Sequence, residues 1–276
     1  MPDVTCYIPR SLERALKQRA QRAKTSAEHI VQTALAQYLD APFHTLFQVS
    51  TSGALVAGVF DGVVTVEEIL RHGDFGLGTF SGLDGEMVVL DGMAYQVRGN
   101  GTVVAGDKGA QAPFAVVTFF AGGAPVMLRA IRSFEELTAL CDDLRGTDNM
   151  FYALRVDGRF GHVHTRAVSP PIPGAGLKAA ADTQPEFDFH DIVGTLVGIW
   201  SPPFSKAFSV EGYHFHFISA DRSKGGHLLA CEGSNLTVRL EPLDRFHLSL
   251  PEAESFLKAD LTKDPAADLA AAEGSH

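Results

Sequence analysis

The chain has 276 residues, is 45% hydrophobic and 20% charged, and carries a formal net charge of −10. That apolar fraction excludes a disordered chain, and the negative balance argues against nucleic-acid binding over the whole surface. No apolar run approaches the ~18 residues that a membrane helix needs. The first residues lack a basic stretch followed by an apolar one, so no secretory leader is expected. Cys6, Cys141 and Cys231 form no CxxC pair and no disulfide framework, which fits reduced thiols in the cytoplasm.

The charge is uneven along the chain. Residues 1–40 hold six basic and four acidic side chains, a net of +2, which leaves −12 on the other 236 residues. A small basic head, residues 1–42, therefore precedes an acidic body, residues 43–276. In the head, residues 4–8 have strand propensity. Pro9 and Ser11 open a helix with Leu12, Ala15, Leu16 and Arg19 at i, i+3, i+4, i+7 spacing. Thr25-Ser26-Ala27-Glu28 fits a capping box for a second helix, which carries Ile30, Val31, Ala34, Leu35, Tyr38 and Leu39. A strand–helix–helix unit of this size is too small to bury a core alone, so it should dimerise or pack on the body.

The strand, the Pro9-Arg10 helix start and the Thr25–Glu28 start of the second helix resemble the ribbon-helix-helix family of DNA-binding dimers. There, alternate residues of a two-stranded ribbon read the major groove. The resemblance implies Thr5 and Tyr7 as DNA contacts, or Asp3 and Cys6 in the other register. The plainer alternative is a dimerising helical hairpin with a solvated basic face.

The body alternates short β-like runs with glycine turns, at residues 54–60, 86–90, 94–98, 102–105 and 114–119. Asp84-Gly85, Asp91-Gly92 and Asn100-Gly101 are hairpin dipeptides. Helices are expected at 66–71 after Thr65 and at 134–144 after Ser133. Strands at 151–156 and 159–168, a Pro/Gly loop and further strands to residue 250 follow. The expected class is α+β: a mostly mixed or antiparallel β-sheet body with few helices, preceded by the strand–helix–helix module. Gly73, Gly76 and Gly78 read as turn glycines and not as a dinucleotide loop.

The strongest chemical signal is Gly212-Tyr213-His214-Phe215-His216-Phe217, followed by Gly225-Gly226-His227. In a strand, residues i and i+2 share a face ~6.6 Å apart, so two imidazoles there can meet one ion. A hairpin turn over residues 221–226 returns His227 beside them. Three His ligands leave an open position, the pattern of a catalytic zinc site. The alternative is a set of hydrogen-bonded strand histidines. His162-Val163-His164, with Arg166 two residues on, offers a competing pair on one face.

Several segments resemble the α-acetolactate decarboxylase family, in the same order and from about Leu46 onward. They are His72–Phe80, Leu83-Asp84-Gly85-Glu86, Phe151–Arg155, Thr165-Arg166-Ala167-Val168, Gly194–Trp200, Tyr213–Phe217, Asp221-Arg222 and Gly225-Gly226-His227. The resemblance implies zinc held by His214, His216 and His227. It implies Arg166 as the carboxylate-binding arginine, Glu86 and Glu273 as catalytic acids, and Thr79 in the pocket. His162 and His164 depart from the family pattern, so they are not expected to bind the main zinc.

The function so implied is zinc-dependent decarboxylation of 2-acetolactate to acetoin. The small-molecule substrate and a homodimer are the expected partners, with DNA as a possible partner of residues 1–42. Two alternatives from other classes are a non-catalytic ligand binder and a metabolite-sensing DNA-binding regulator that keeps a decarboxylase-like pocket.

Overall fold

The chain divides into two units, Met1–Phe43 and His44–His276, in a computed structural model that describes residues 5–39, 43–170, 184–265 and 268–269. In the first unit, helix α1 (Arg10–Ala23) starts directly after Pro9, which disfavours helical backbone at the residue before it. Lys24 turns left-handed, and α1 ends there. Helix α2 (Ala27–Tyr38) is capped by Ser26, whose hydroxyl accepts from His29 N–H at 3.0 Å. The cap expected at Thr25 is thus one residue later. The strand expected at residues 4–8 does not form over the described residues 5–8, because a strand needs a neighbour to pair with; residue 4 lies outside the described residues. Among the described residues of this unit only Ala36 is buried, and Leu12, Val31, Leu35 and Tyr38 are exposed.

The second unit stacks two sheets. The first contains β1 (Thr45–Val49), β3 (Phe75–Thr79), β4 (Glu86–Leu90), β5 (Met93–Val97), β6 (Val103–Ala105), β8 (Phe114–Thr118) and β14 (Arg245–Ser249). Its order is β14-β1-β8-β3-β4-β5-β6, antiparallel except for β1 beside β14. The second contains β9 (Val126–Ile131), β10 (Phe151–Arg166), β11 (Glu186–Ser201), β12 (Gly212–Ser219) and β13 (Gly225–Leu243). A short pair, β2 (Val64–Thr65) and β7 (Gln111–Ala112), lies apart from both.

Strand alternation makes the layers. Leu46, Leu77, Val88 and Val116 of the first sheet meet Ala153, Val197, Ile199 and Ile218 of the second in one buried cluster. Helix α4 (Val66–Leu70) covers the outer face of the first sheet, with Val66 and Ile69 against Met87 and Val117. Helix α5 (Phe134–Leu144) covers the outer face of the second, with Leu137 and Cys141 in one cluster with Leu154, Phe215 and Phe217. The body is α+β and mostly β, as its composition and turns imply.

Both expected helices form, and Thr65 and Ser133 cap them through the Glu68 and Glu136 amides. Three local expectations need correction. Residues 54–60 are not a strand: Thr51 caps a short helix, α3 (Ser52–Val56), and an apolar run this brief has no decisive period. The two strands expected at 151–156 and 159–168 are one bulged strand, β10. Gly76 and Gly78 lie inside β3 and not in a turn, where β8 crowds the backbone: a Cβ on Gly78 would meet the Phe114 carbonyl at 2.5 Å.

Candidate active site

Sheet closure builds the site. β13 pairs with β10 along its length and, at its start, also with β12. Because β11 joins β10 to β12, these four strands close on themselves at that end. There His216 lies directly across from His227, and His227 directly across from Arg166. The turn between β12 and β13 is tied by Asp221, which accepts from the Ser219 hydroxyl at 2.6 Å and from Ser223 N–H at 3.1 Å.

The period of β12 sends Phe215 and Phe217 toward α5 and His214 and His216 toward the first sheet. His214 Nε2 lies 3.2 Å from His216 Nε2 and 3.2 Å from His227 Nδ1. Two ligands at ~2.0 to 2.1 Å from a tetrahedral ion stand about 3.3 Å apart, so this spacing suits one metal ion. His216 Nδ1 donates to the Met87 carbonyl of β4 at 2.8 Å, which leaves Nε2 as a bare lone pair facing its neighbours. All three imidazoles are buried. Burial, then Arg166, pull His214 down to about 3, and burial and His214 pull His216 well below the usual histidine range. Neutral imidazole is the metal-binding form. The donor set therefore fits a divalent metal, and among the described residues it is the one such group.

The same closed end opens on a pocket. His214, His227, Arg166, Glu86 and Thr79 line it, with Leu55, Phe114 and Val210 as apolar wall. Glu86 is the cross-strand partner of Thr79. Its Oε1 accepts from Val168 N–H at 2.9 Å, and its Oε2 lies 3.6 Å from His216 Nε2. The Thr79 hydroxyl donates to the Gly85 carbonyl at 2.9 Å, which ties β3 to the turn that delivers Glu86.

Six residues singled out from the sequence thus come together: Thr79, Glu86, Arg166, His214, His216 and His227. Glu273 lies outside the described residues. Thr5 and Tyr7 are exposed residues of the first unit. His162 and His164 face Asp188 and Glu186 instead, at 2.7 and 2.9 Å. The Met87 carbonyl, the Val168 amide and Gln184, which also lines the pocket, escape sequence reading. Backbone groups leave no residue-type signal, and a glutamine beside a loop has no distinctive spacing.

The family model for α-acetolactate decarboxylase matches residues 46–263. A Bacillus licheniformis α-acetolactate decarboxylase is 37% identical over 249 residues, covering 87% of this chain and 96% of the relative. One from Methanosarcina mazei is 40% identical over 225 residues, covering 81% and 78%. The crystal structure of the Bacillus subtilis strain 168 enzyme superposes with a TM-score of 0.81 at 36% identity, over 84% of this chain and 100% of that one. With its fold, its histidine cluster and these relatives in agreement, the chain belongs to the α-acetolactate decarboxylase family.

Proposed function

We propose that the protein decarboxylates 2-acetolactate to acetoin, with zinc held by His214, His216 and His227. The observation that carries this reading is the convergence of three buried imidazoles on the pocket that also presents Arg166 and Glu86. Zinc bound there supplies a Lewis acid for the neighbouring ketone and hydroxyl oxygens of the substrate.

The chain's own residues do the rest. Arg166 holds the carboxylate through paired guanidinium hydrogen bonds and fixes the bond to be broken. Its positive charge draws an anion into a protein of net charge −10, so attraction is local. Loss of carbon dioxide leaves an electron pair shared between the hydroxyl-bearing carbon and the former ketone. A protonated carboxyl must then deliver a proton to that carbon from one face, which makes the acetoin chiral. Glu86 is one donor, oriented by its hydrogen bond from Val168 N–H. Glu273 is the second, on the reading that the C-terminal tail completes the acid set. Leu55, Phe114 and Val210 keep water from the developing charge. Purified protein given racemic 2-acetolactate should release acetoin, lose that activity to a chelator and regain it with zinc. A zinc-loaded protein that releases none overturns the reading.

A second reading concerns the head. It forms its own unit, it precedes the matched residues 46–263, and it exposes Leu12, Val31, Leu35 and Tyr38. We infer that residues 1–42 pair with a second copy as a ribbon-helix-helix-like module, with Thr5 and Tyr7 as DNA contacts. Low-salt mobility assays and sedimentation of the full chain test this, because phosphate contacts are strongest at low salt. A monomer without DNA affinity rejects both parts. Cytoplasmic residence belongs to the same reading. Cys141 and Cys231 are free, buried and pushed up to about 12 by burial, so they are unreactive thiols that suit a reducing compartment.

A further inference from the structure

The short helix α3 stands between the pocket and the C-terminal segment. Its Leu55 lines the pocket, whereas Thr51, Gly53 and Val56 line a separate cleft shared with Pro265 and Asp268. Pro265 packs on α3: a Cβ on Gly53 would stand 3.6 Å from Pro265 Cγ, an ordinary contact distance. Leu269 N–H donates to the Pro265 carbonyl at 2.8 Å, which closes one helical turn. Two leucines follow the helix Glu254–Lys258. Leu261 is 39% exposed, but Leu269 is only 5% exposed. Leu269 belongs to the buried cluster that also holds Leu55 and Val210 of the pocket wall. A segment otherwise rich in Asp, Lys and Ala thus sinks one large apolar side chain into the core beside α3.

We propose that Leu269 is a positioning residue: it pins the C-terminal segment against α3 and so keeps Glu273 within reach of the pocket. This rests on the reading of Glu273 as a proton donor. Glu273 follows Leu269 by four residues, which extend at most ~14 Å. A helix with its side chains is about 10–12 Å across, so a carboxyl on that tether can pass α3 and meet the pocket. Tether length sets how often it does. Fixed at Leu269, Glu273 hangs on four residues; fixed only at Pro265, on eight; fixed only at Lys258, on fifteen. Effective concentration falls as roughly the −3/2 power of tether length. Release from Leu269 should therefore lower it about 3-fold if Pro265 holds and about 7-fold if it does not.

A double-mutant cycle of Leu269→Ala and Glu273→Gln, measured by acetoin release from the zinc-loaded full chain, tests this. Leu269→Ala should lower kcat about 3- to 7-fold and leave KM and zinc content within about 2-fold. Leu269→Met, which refills the site, should restore kcat. On the Glu273→Gln background, Leu269→Ala should have no further effect on kcat, because the two changes act through one carboxyl. A second variant leaves the core untouched. Four Gly/Ser residues inserted between Leu269 and Glu273 double a tether that starts at Leu269 and should lower kcat about 3-fold. A tether that starts at Pro265 or earlier predicts a loss under about 2-fold. That smaller loss, or an equal effect of Leu269→Ala on both backgrounds, overturns the proposal; the equal effect would mean that Leu269 only supports the pocket wall. A slow Glu273→Gln beside a fully active Leu269→Ala removes the anchor and keeps the donor. A fully active Glu273→Gln removes the donor, and the anchor with it.

Discussion

Two His-x-His pairs sit in the same sheet, His214/His216 on β12 and His162/His164 on β10, and the fold gives them opposite environments. The first pair is 9% and 1% exposed, faces His227 across the sheet closure, and has one imidazole fixed by a backbone carbonyl. The side chains of the second are 26% and 28% exposed. Each of its rings bonds to its own carboxylate, Asp188 or Glu186, and His162 stacks on His190 at 4.9 Å. The His162 hydrogen bond holds the Asp188 carboxyl below the usual carboxylate range. Spacing is identical in the two pairs, so spacing is not what makes a metal site. A third nitrogen brought within ligand distance and burial that keeps the rings neutral make the difference.

That contrast can be broken most severely by removing the third ligand. His227→Ala leaves a His-x-His pair with no partner across the closure. Partners that merely orient a ligand contribute about 10–100-fold to affinity or activity, so losing a ligand itself should exceed that range. Equilibrium zinc affinity and acetoin release measure it. His162→Ala should leave both within about 2-fold, as expected for an exposed ion pair.

A milder disturbance comes from behind the site. Gly198 on β11 lies across from Phe215, and a Cβ there would run into the Phe215 ring. Phe215 sits between His214 and His216 of β12, so Gly198→Ala should shift both. Overpacking of this kind costs about 1–3 kcal/mol, read as a lowered melting temperature. Zinc affinity should fall with it, whereas an alanine at Gly161, where space is open beside His162, should leave zinc binding unchanged.

The smallest effect concerns the turn. The Ser219 hydroxyl, then Ser223, hold the Asp221 carboxyl down to about 2. A depressed carboxyl contributes stability that is present above its unfolded value of 3.8 and is lost as pH falls toward the folded value. The turn should therefore stay closed above pH 4 and loosen below it. Amide exchange at Ser223 and Lys224 should accelerate across that window in wild type, and Asp221→Asn should abolish the step. A step at neutral pH would show that another group controls the turn.

Much of this site is legible in the sequence. The period of two on residues 212–217 places His214 and His216 on one face, and Gly225-Gly226 marks the return that brings His227 back. Helix α5 is legible from its cap and apolar spacing, and it forms over the residues expected. What stays hidden is pairing between distant segments. Closure of β10 through β13, which aligns His216, His227 and Arg166, depends on register between residues some sixty apart, and local pattern carries no such information. Backbone partners such as Met87 O and Val168 N–H have no residue signature at all. The short helix after Thr51 is obscured by an apolar run that suits strand and helix equally.

The most direct test is zinc stoichiometry in two double variants prepared side by side. Wild type and His162→Ala/His164→Ala should each bind one zinc per chain. His214→Ala/His216→Ala should bind none at the same free zinc concentration. Equal stoichiometry in the two variants would contradict the account, because it would place the metal away from the closed end of the sheet.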